Sequence, residues 1–301
     1  MIGRILVPLD GSEAAEAVLP YVERIATAAN AAVLLLAAVD RPRDWGTYTA
    51  GDLKGERHEA ESYLREVQAR LTSATDNDVE VEVVTSPPAE AILAAADKAH
   101  PDLIAMTTHG RSGVSRWVLG SVATKVLHAT HTPMLAVRPP SEGKQGESPD
   151  LARVLVPHDG SELSASALPF AVDLAKPLGA SIVLFHSVVE PILAYPAAET
   201  MAPDPRVFEE LKSRARDFLT SAANDLADEG VKADTVVSVG NATDGIVWAA
   251  DRENAGLIVM STHGRSGVGR WVMGSVTDAV VRRTSLPVVI VRPSTGEEIS
   301  P

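Results

Sequence analysis

Residues 4–13 read RILVPLDGSE, and residues 153–162 read RVLVPHDGSE. Each stretch opens on a short apolar, partly β-branched run, which predicts a buried strand, and closes on an Asp-Gly-Ser turn. Ser12 can cap a helix that follows, with Glu13 and Glu16 placed at the positive end of its dipole. A strand–turn–helix unit is therefore written twice in one chain.

The repetition extends outward from these two turns. Residues 108–122 read THGRSGVSRWVLGSV and residues 262–276 read THGRSGVGRWVMGSV, differing only at Ser115 against Gly269 and Leu119 against Met273. Each copy closes on a short apolar run followed by Arg-Pro, at Arg138-Pro139 and Arg292-Pro293. The period is about 150 residues, too long for a solenoid repeat and right for a complete domain. The stretch PPSEGKQGESPD, from Pro139 to Asp150, has the composition of a linker. The expected organisation is a domain at 1–139, a linker at 140–151 and a second domain at 152–301. The copies diverge most at 41–75 and 190–226, and least at the two loops.

Between the repeated loops, strands and helices alternate. In the first copy, strands are predicted over Arg4–Leu9, Val33–Val39, Val79–Val84, Leu103–Met106 and Met134–Val137. Helices are predicted from Ser12 to about Ala29, over Leu53–Thr72 and Ala89–Ala99, and from Ser121, read as a cap, to about Ala129. The second copy predicts Arg153–Val156, Leu163–Leu174, Ile182–Val188, Phe208–Ala227, Thr235–Val239, Thr243–Arg252, Leu257–Met260, Val276–Arg283 and Val288–Val291. Such alternation implies a parallel sheet covered on both faces, one doubly wound α/β domain per copy with five strands each.

Composition narrows the function. The 301 residues carry a formal net charge of −13, which disfavours nucleic acid as a partner. No cysteine is present, which removes disulfides, thiolate nucleophiles and zinc–thiolate sites. The longest apolar runs, such as Ala31 to Val39, fall short of a bilayer span, and the N-terminus shows no signal-peptide pattern. The expectation is a cytoplasmic protein with no membrane contact.

In open α/β sheets, ligands bind beyond the carboxyl ends of the strands, where strand order reverses. Asp10 and Asp159 follow the first strand of each copy, and the glycine-rich loops follow the fourth. Gly110, Gly113 and Gly120 would allow positive φ and close backbone approach, and the helix beginning near Ser121 offers free N–H groups to a phosphate. Arg111 or Arg116 could add positive charge. Asp10 suits ribose hydroxyls or a divalent cation. The loops lack both the G-x-x-x-x-G-K-[ST] and the G-x-G-x-x-G patterns, so neither a P-loop nor a standard dinucleotide site is expected. His109 and His263 beside the loops are read as loop-ordering hydrogen-bond partners ahead of a catalytic base, and Trp117 and Trp271 as core or interface packing anchors ahead of rings stacked on a base.

These loops resemble those of the nucleotide-binding universal stress proteins, whose loop reads G-x2-G-x9-G-[ST]. Gly110 followed by nine residues and Gly120-Ser121 matches the second half, as does Gly264 through Gly274-Ser275. Thr107 and Ser261 stand where the leading glycine would be. The resemblance covers both copies and implies tandem, Rossmann-like domains, each holding one ATP, with Mg or Mn. It implies that Pro8, Leu9, Asp10, Ala38 and Val39, and likewise Pro157, His158, Asp159, Ser187 and Val188, line the adenine–ribose side. Met106 and Met260 would lie beneath the nucleotide. Gly110, Arg111, Gly113, Gly120, Ser121 and Val122 would hold the phosphates of one nucleotide. Gly264, Arg265, Gly267, Gly274, Ser275 and Val276 would hold those of the other. The resemblance also implies a homodimer or an internal pseudo-dimer of the two copies. The expected action is nucleotide-dependent regulation in a stress response through an unidentified protein partner, with weak ATP hydrolysis at most. A slow ATPase or phosphotransferase in the same pocket, and a nucleotide-independent dimerisation module, are the competing expectations.

Overall fold

Runs such as RILVP, AVLLLAAV and LIAMT are apolar on both sides of the chain, so they stay out of water only with a layer on each face of the sheet. In the computed structural model, which describes residues 1–40, 50–108, 119–139, 149–189, 205–262 and 273–293, that is where they lie. The chain falls into two compact units, Met1–Pro149 and Asp150–Pro301.

In the first unit the strands are β1 (Arg4–Pro8), β2 (Ala32–Val39), β3 (Val79–Thr85), β4 (Leu103–Thr107) and β5 (Met134–Val137). They form a parallel sheet in the order β3-β2-β1-β4-β5. The helices are α1 (Glu13–Glu16), α2 (Leu19–Ala29), α3 (Ala50–Thr75), α4 (Pro88–Ala99) and α5 (Ser121–Ala129). Ile5, Leu6, Leu35, Leu103, Ile104 and Leu135 form a core without solvent contact. The alternating strand β3, VEVEVVT, lies outermost, and its charges are paired: Glu80 with Arg4 and Glu82 with Lys98.

The second unit repeats the plan. Its strands are β6 (Arg153–Pro157), β7 (Ser181–Val188), β8 (Ala233–Val239), β9 (Leu257–Ser261) and β10 (Val288–Val291), all parallel in the order β8-β7-β6-β9-β10. Its helices are α6 (Glu162–Ala165), α7 (Leu168–Leu178), α8 (Pro205–Asp228), α9 (Ala242–Arg252) and α10 (Ser275–Arg283).

Two predicted helices, one in each unit, are different in the structure. The helix expected to run unbroken from Ser12 to Ala29 is two helices, and so is its counterpart in the second unit. Pro20 lacks an N–H, and its ring would meet the carbonyl of Glu16, four residues back; Pro169 stands in the same relation to Ala165. Each proline sits instead in the opening turn of a new helix, where no N–H is required. In the second unit that helix also runs past the expected Leu174 and ends at Leu178, closed by Gly179 at φ 64°.

Candidate functional site

β1 pairs with both β2 and β4, so the direction of winding reverses between β1 and β4. At that switch point the chain leaving β1 enters the Asp10-Gly11-Ser12 turn. The backbone N–H and the hydroxyl of Ser12 both donate to Asp10 Oδ1, at 3.0 and 2.5 Å. Ser12 Oγ then accepts the Ala15 N–H at 3.1 Å and caps α1. The second unit repeats the turn: Ser161 donates to Asp159 Oδ1 at 3.0 and 2.6 Å and accepts the Ser164 N–H at 3.1 Å. Closing this turn puts Gly11 at φ 79° and Gly160 at φ 81°, where a Cβ is strained. Gly11→Ala is therefore expected to cost about 1–2 kcal/mol in urea unfolding. An unchanged midpoint would show that the turn does not need this conformation.

The other side of the crevice begins at β4. Thr108 N–H donates to the Val137 carbonyl at 2.8 Å, and Gly120 N–H returns to the Thr108 carbonyl at 2.6 Å. Both ends of the intervening loop are thereby held at the end of β4. Gly120 is itself the residue before α5, at φ −57° and ψ 157°, with no side-chain cap. Ser121 therefore opens the helix instead of capping it, and Gly120 does not use the positive φ expected of it. The first bond within α5 runs from Thr124 N–H to the Gly120 carbonyl at 2.8 Å. The N–H groups of Ser121, Val122 and Ala123 have no partner within the helix. In the second unit Gly274 N–H meets the Thr262 carbonyl at 2.7 Å, and Asp278 N–H meets the Gly274 carbonyl at 2.9 Å. Gly274 has the same dihedral pattern as Gly120 and likewise no side-chain cap.

The carboxylate turn and the open helix start line one cavity of about 300 Å³, at the lower edge of small-ligand sites. Pro8, Leu9, Asp10, Ala38, Met106, Gly120, Ser121 and Val122, all singled out from sequence, meet in it. Val39, one step further along β2, is not among the lining residues. Gly110, Arg111 and Gly113 lie outside the described residues, as do Gly264, Arg265 and Gly267, both histidines beside the loops and Trp117 and Trp271. Ala15, Leu36, Pro88, Ile92, Thr108 and Ala123 also line the cavity and were not anticipated, and so does Thr107, at the place of the motif's leading glycine. Period-two alternation along β2, placing Leu36 on the face of Ala38, and the helical spacing of Pro88 and Ile92 were the available signals.

In the second unit Pro157, His158, Asp159, Ser187, Val188, Met260, Gly274, Ser275 and Val276 occupy the matching stations. The backbone is tied alike: Leu9 N–H donates to the Leu36 carbonyl and His158 N–H to the Phe185 carbonyl, both at 2.8 Å. The side chains differ. Buried His158 places Nδ1 2.7 Å from Ser164 Oγ, where the first unit has Leu9 and Ala15. His158 and His186 both stand edge-on to Phe218 of α8, at ring-centre distances of 5.4 and 5.1 Å. On α3 of the first unit, burial pushes the Tyr63 hydroxyl above its ordinary pKa, and the Glu16 carboxylate adds to the shift, so the phenol stays protonated.

Among the described residues, no cluster of three or more His, Cys, Asp or Glu side chains is placed to hold a metal ion by itself. Also among them, no helix is long and apolar enough to cross a membrane.

The model of the universal stress protein family matches residues 1–138 and again residues 151–292. The chain belongs to the universal stress protein family. It carries the family's domain twice. A universal stress protein of Bacillus subtilis is 32% identical over 145 residues, covering 46% of this chain and 98% of its own. One from Mycolicibacterium smegmatis is 25% identical over 296 residues, covering 96% of this chain and 97% of its own, so it shares the tandem length. The crystal structure of a universal stress protein from Archaeoglobus fulgidus covers 96% of this chain and 98% of its own, with a TM-score of 0.71 and 22% identity, a likeness of fold.

Proposed function

We propose that each domain of this universal stress protein binds one ATP, and that the chain acts as a nucleotide-dependent regulator in a stress response. The observation that carries the reading is the convergence of the Asp10 turn and the open start of α5 on one cavity at the switch point. A carboxylate that accepts hydrogen bonds suits the ribose hydroxyls. N–H groups that have no acceptor within their own helix, at the positive end of its dipole, suit phosphate. The apolar faces of Leu36, Ala38, Pro88 and Ile92 between them suit a base. The net charge of −13 repels a polyphosphate at long range, so binding must come from such local donors.

A divalent cation fits this donor set. Mg²⁺ is commonly held by one or two carboxylates together with phosphate oxygens, without an all-protein cage. Asp10 and Asp159 are the residues that would hold Mg²⁺ or Mn²⁺, and the cation would neutralise phosphate charge. In this reading the protein works in the cytoplasm as a homodimer or internal pseudo-dimer, and nucleotide shifts its populations by binding one conformation more tightly. Saturation at a hundred times Kd would add about 2.7 kcal/mol of stability.

Isothermal titration of the full chain with ATP and Mg²⁺ tests the reading. The expected result is close to two ATP per chain. No measurable heat at high micromolar ATP would end it. Steady phosphate release well above the spontaneous rate would move the function to a slow ATPase.

A further inference from the structure

We propose that the outer edge of β8 docks a second copy of this chain, the two strands pairing antiparallel about a two-fold axis through Val237. This rests on the homodimer reading above and not on nucleotide. Among the described residues β8 pairs with β7 alone. Ile182 N–H donates to the Lys232 carbonyl at 2.8 Å, and Gly240 N–H to the Val188 carbonyl at 2.9 Å. Backbone groups alternate in direction along a paired strand, so the even-numbered residues from Lys232 to Gly240 face β7. Thr235, Val237 and Val239 turn their N–H and C=O groups outward, as a template for another strand.

The matching edge of the first unit is guarded, and this one is not. By strand register, Glu80, Glu82 and Thr85 of β3 correspond to Asp234, Val236 and Val239 of β8. Glu82 is bridged to Lys98 at 2.9 Å, and Arg57 of α3 donates to the Thr85 hydroxyl at 3.3 Å, so charge lies along the β3 edge. On β8 the bridge of Asp234 to Arg153 is kept, but Thr235 to Val239 carry no charge, and Val239 is 40% exposed. Ala95-Ala96-Asp97-Lys98 of α4 recurs as Ala249-Ala250-Asp251-Arg252 of α9. Its carboxylate replaced by Val236, Arg252 stacks on Trp248 with Cζ 4.9 Å from the ring centre, and Glu253 lies 3.7 Å away. Trp248 is 45% exposed, where the first unit has Ala94.

These positions select a second copy as the occupant. A Cβ on Gly245 would lie 2.9 Å from Ser238 Oγ, so the start of α9 is level with Ser238. Arg252 holds the station from which Lys98 reaches residue 82, the counterpart of Val236. Trp248 stands between them along α9, level with Val237. An axis through Val237 pairs Thr235 with Val239 of the second copy and Val237 with itself, so the outward groups of both strands are all met. The same axis brings the two Trp248 side chains together on one side of the joined sheet, each covering exposed apolar area of the other. In this register Asp234 faces Gly240 and no like charges oppose. A slip that centred the pairing on Asp234 would set two carboxylates against each other. An unrelated strand would meet the backbone groups but bring no matching ring to Trp248.

Sedimentation equilibrium of the full chain at micromolar concentration should give a dimer. Val237→Pro removes an outward N–H, a place where edge strands tolerate proline, so circular dichroism should stay native. Both hydrogen bonds across the axis are lost, and the dimer Kd should rise about tenfold. The matching Val83→Pro on β3 should leave it unchanged. The chain has no cysteine, so Val237→Cys supplies one thiol per copy. Directly paired residues lie about 5.5 Å apart between Cα atoms, within disulfide range, so mild oxidation should give a covalent dimer on a denaturing gel, and Val83→Cys should not. A Kd unmoved by Val237→Pro, or no cross-link in oxidised Val237→Cys, overturns this surface and leaves the homodimer to another face. A wild-type monomer overturns the homodimer reading and this proposal together, and leaves the ATP titration untouched.

Discussion

Gly256→Ala should remove the stable fold of the second domain. A Cβ at this position would sit 1.5 Å from the Asp150 carbonyl oxygen, 2.7 Å from its carbon and 3.3 Å from Leu151 Cα. All three are backbone atoms, so no rotamer change relieves the overlap. The neighbouring backbone is tied on several sides. Gly256 N–H donates to the Arg153 carbonyl at 2.9 Å, and Ala152 N–H to Asp150 Oδ1 at 3.0 Å. Arg153 is bridged to Asp234 at 3.3 Å and to Glu253 at 3.0 Å, and Leu151 is buried. Moving Asp150 away therefore disturbs the start of β6, the central strand of its unit. The expected loss exceeds about 4 kcal/mol, in the diagnostic tail for single substitutions and close to the whole stability of an ordinary domain. Native-state hydrogen exchange reads it domain by domain: protection should collapse in β6 to β10 and persist in β1 to β5. A loss below about 1 kcal/mol would mean that the backbone relaxes freely.

The first domain solves the same problem in another way, which explains why this glycine matters in one copy only. Asp102 N–H donates to the Arg4 carbonyl at 2.9 Å, as Gly256 N–H does to that of Arg153. The Asp102 carboxylate then accepts the N–H groups of Gly3 and Arg4, at 2.7 and 3.0 Å. In the second domain the carboxylate has moved to Asp150, and the Asp102 position has become the glycine that admits it. This is also why Asp150 and Leu151, read from composition as linker, pack into the second unit.

Asp10→Ala should lower ATP stoichiometry from two to one per chain, with Asp159→Ala emptying the other site and the double variant binding none. The substitution also removes the acceptor for both donors of Ser12, so it should cost about 1–2 kcal/mol of stability. Asp10→Asn separates the two effects. An amide oxygen can still accept from Ser12, so unfolding should stay near wild type. The negative charge is gone, and with it the carboxylate for ribose or Mg²⁺. A charged hydrogen bond contributes about 1.5–3 kcal/mol, so affinity at that site should fall about ten- to a hundredfold. Titration calorimetry and urea unfolding on the same preparations separate binding from folding. Two sites of unchanged affinity in Asp10→Asn would refute the role given to this carboxylate.

Strand and helix types were readable because their signals are local. The runs at Arg4, Val33 and Leu103 are too short and too apolar for surface helices, and β5 and β10 fall at the residues expected. The break before Pro20 was equally local and was missed, because the periodicity of the flanking residues runs through it. Asp10, Gly120, Ser121 and Val122 could be singled out from the duplicated loops. Leu36, Pro88 and Ile92 were not, because alternation and helical spacing say which residues share a face but not which neighbour that face meets.

The doubling of the chain, the α/β class and the two repeated turns per copy follow from the order of residues alone, since periodicity, turn chemistry and repetition are properties of short segments. Whether β1 lies beside β4, which side chains then share a cavity, and why one copy needs glycine where the other has aspartate were decided by the packed fold. Those relations join residues far apart along the chain, and only close packing of sheet against helix brings their atoms within reach.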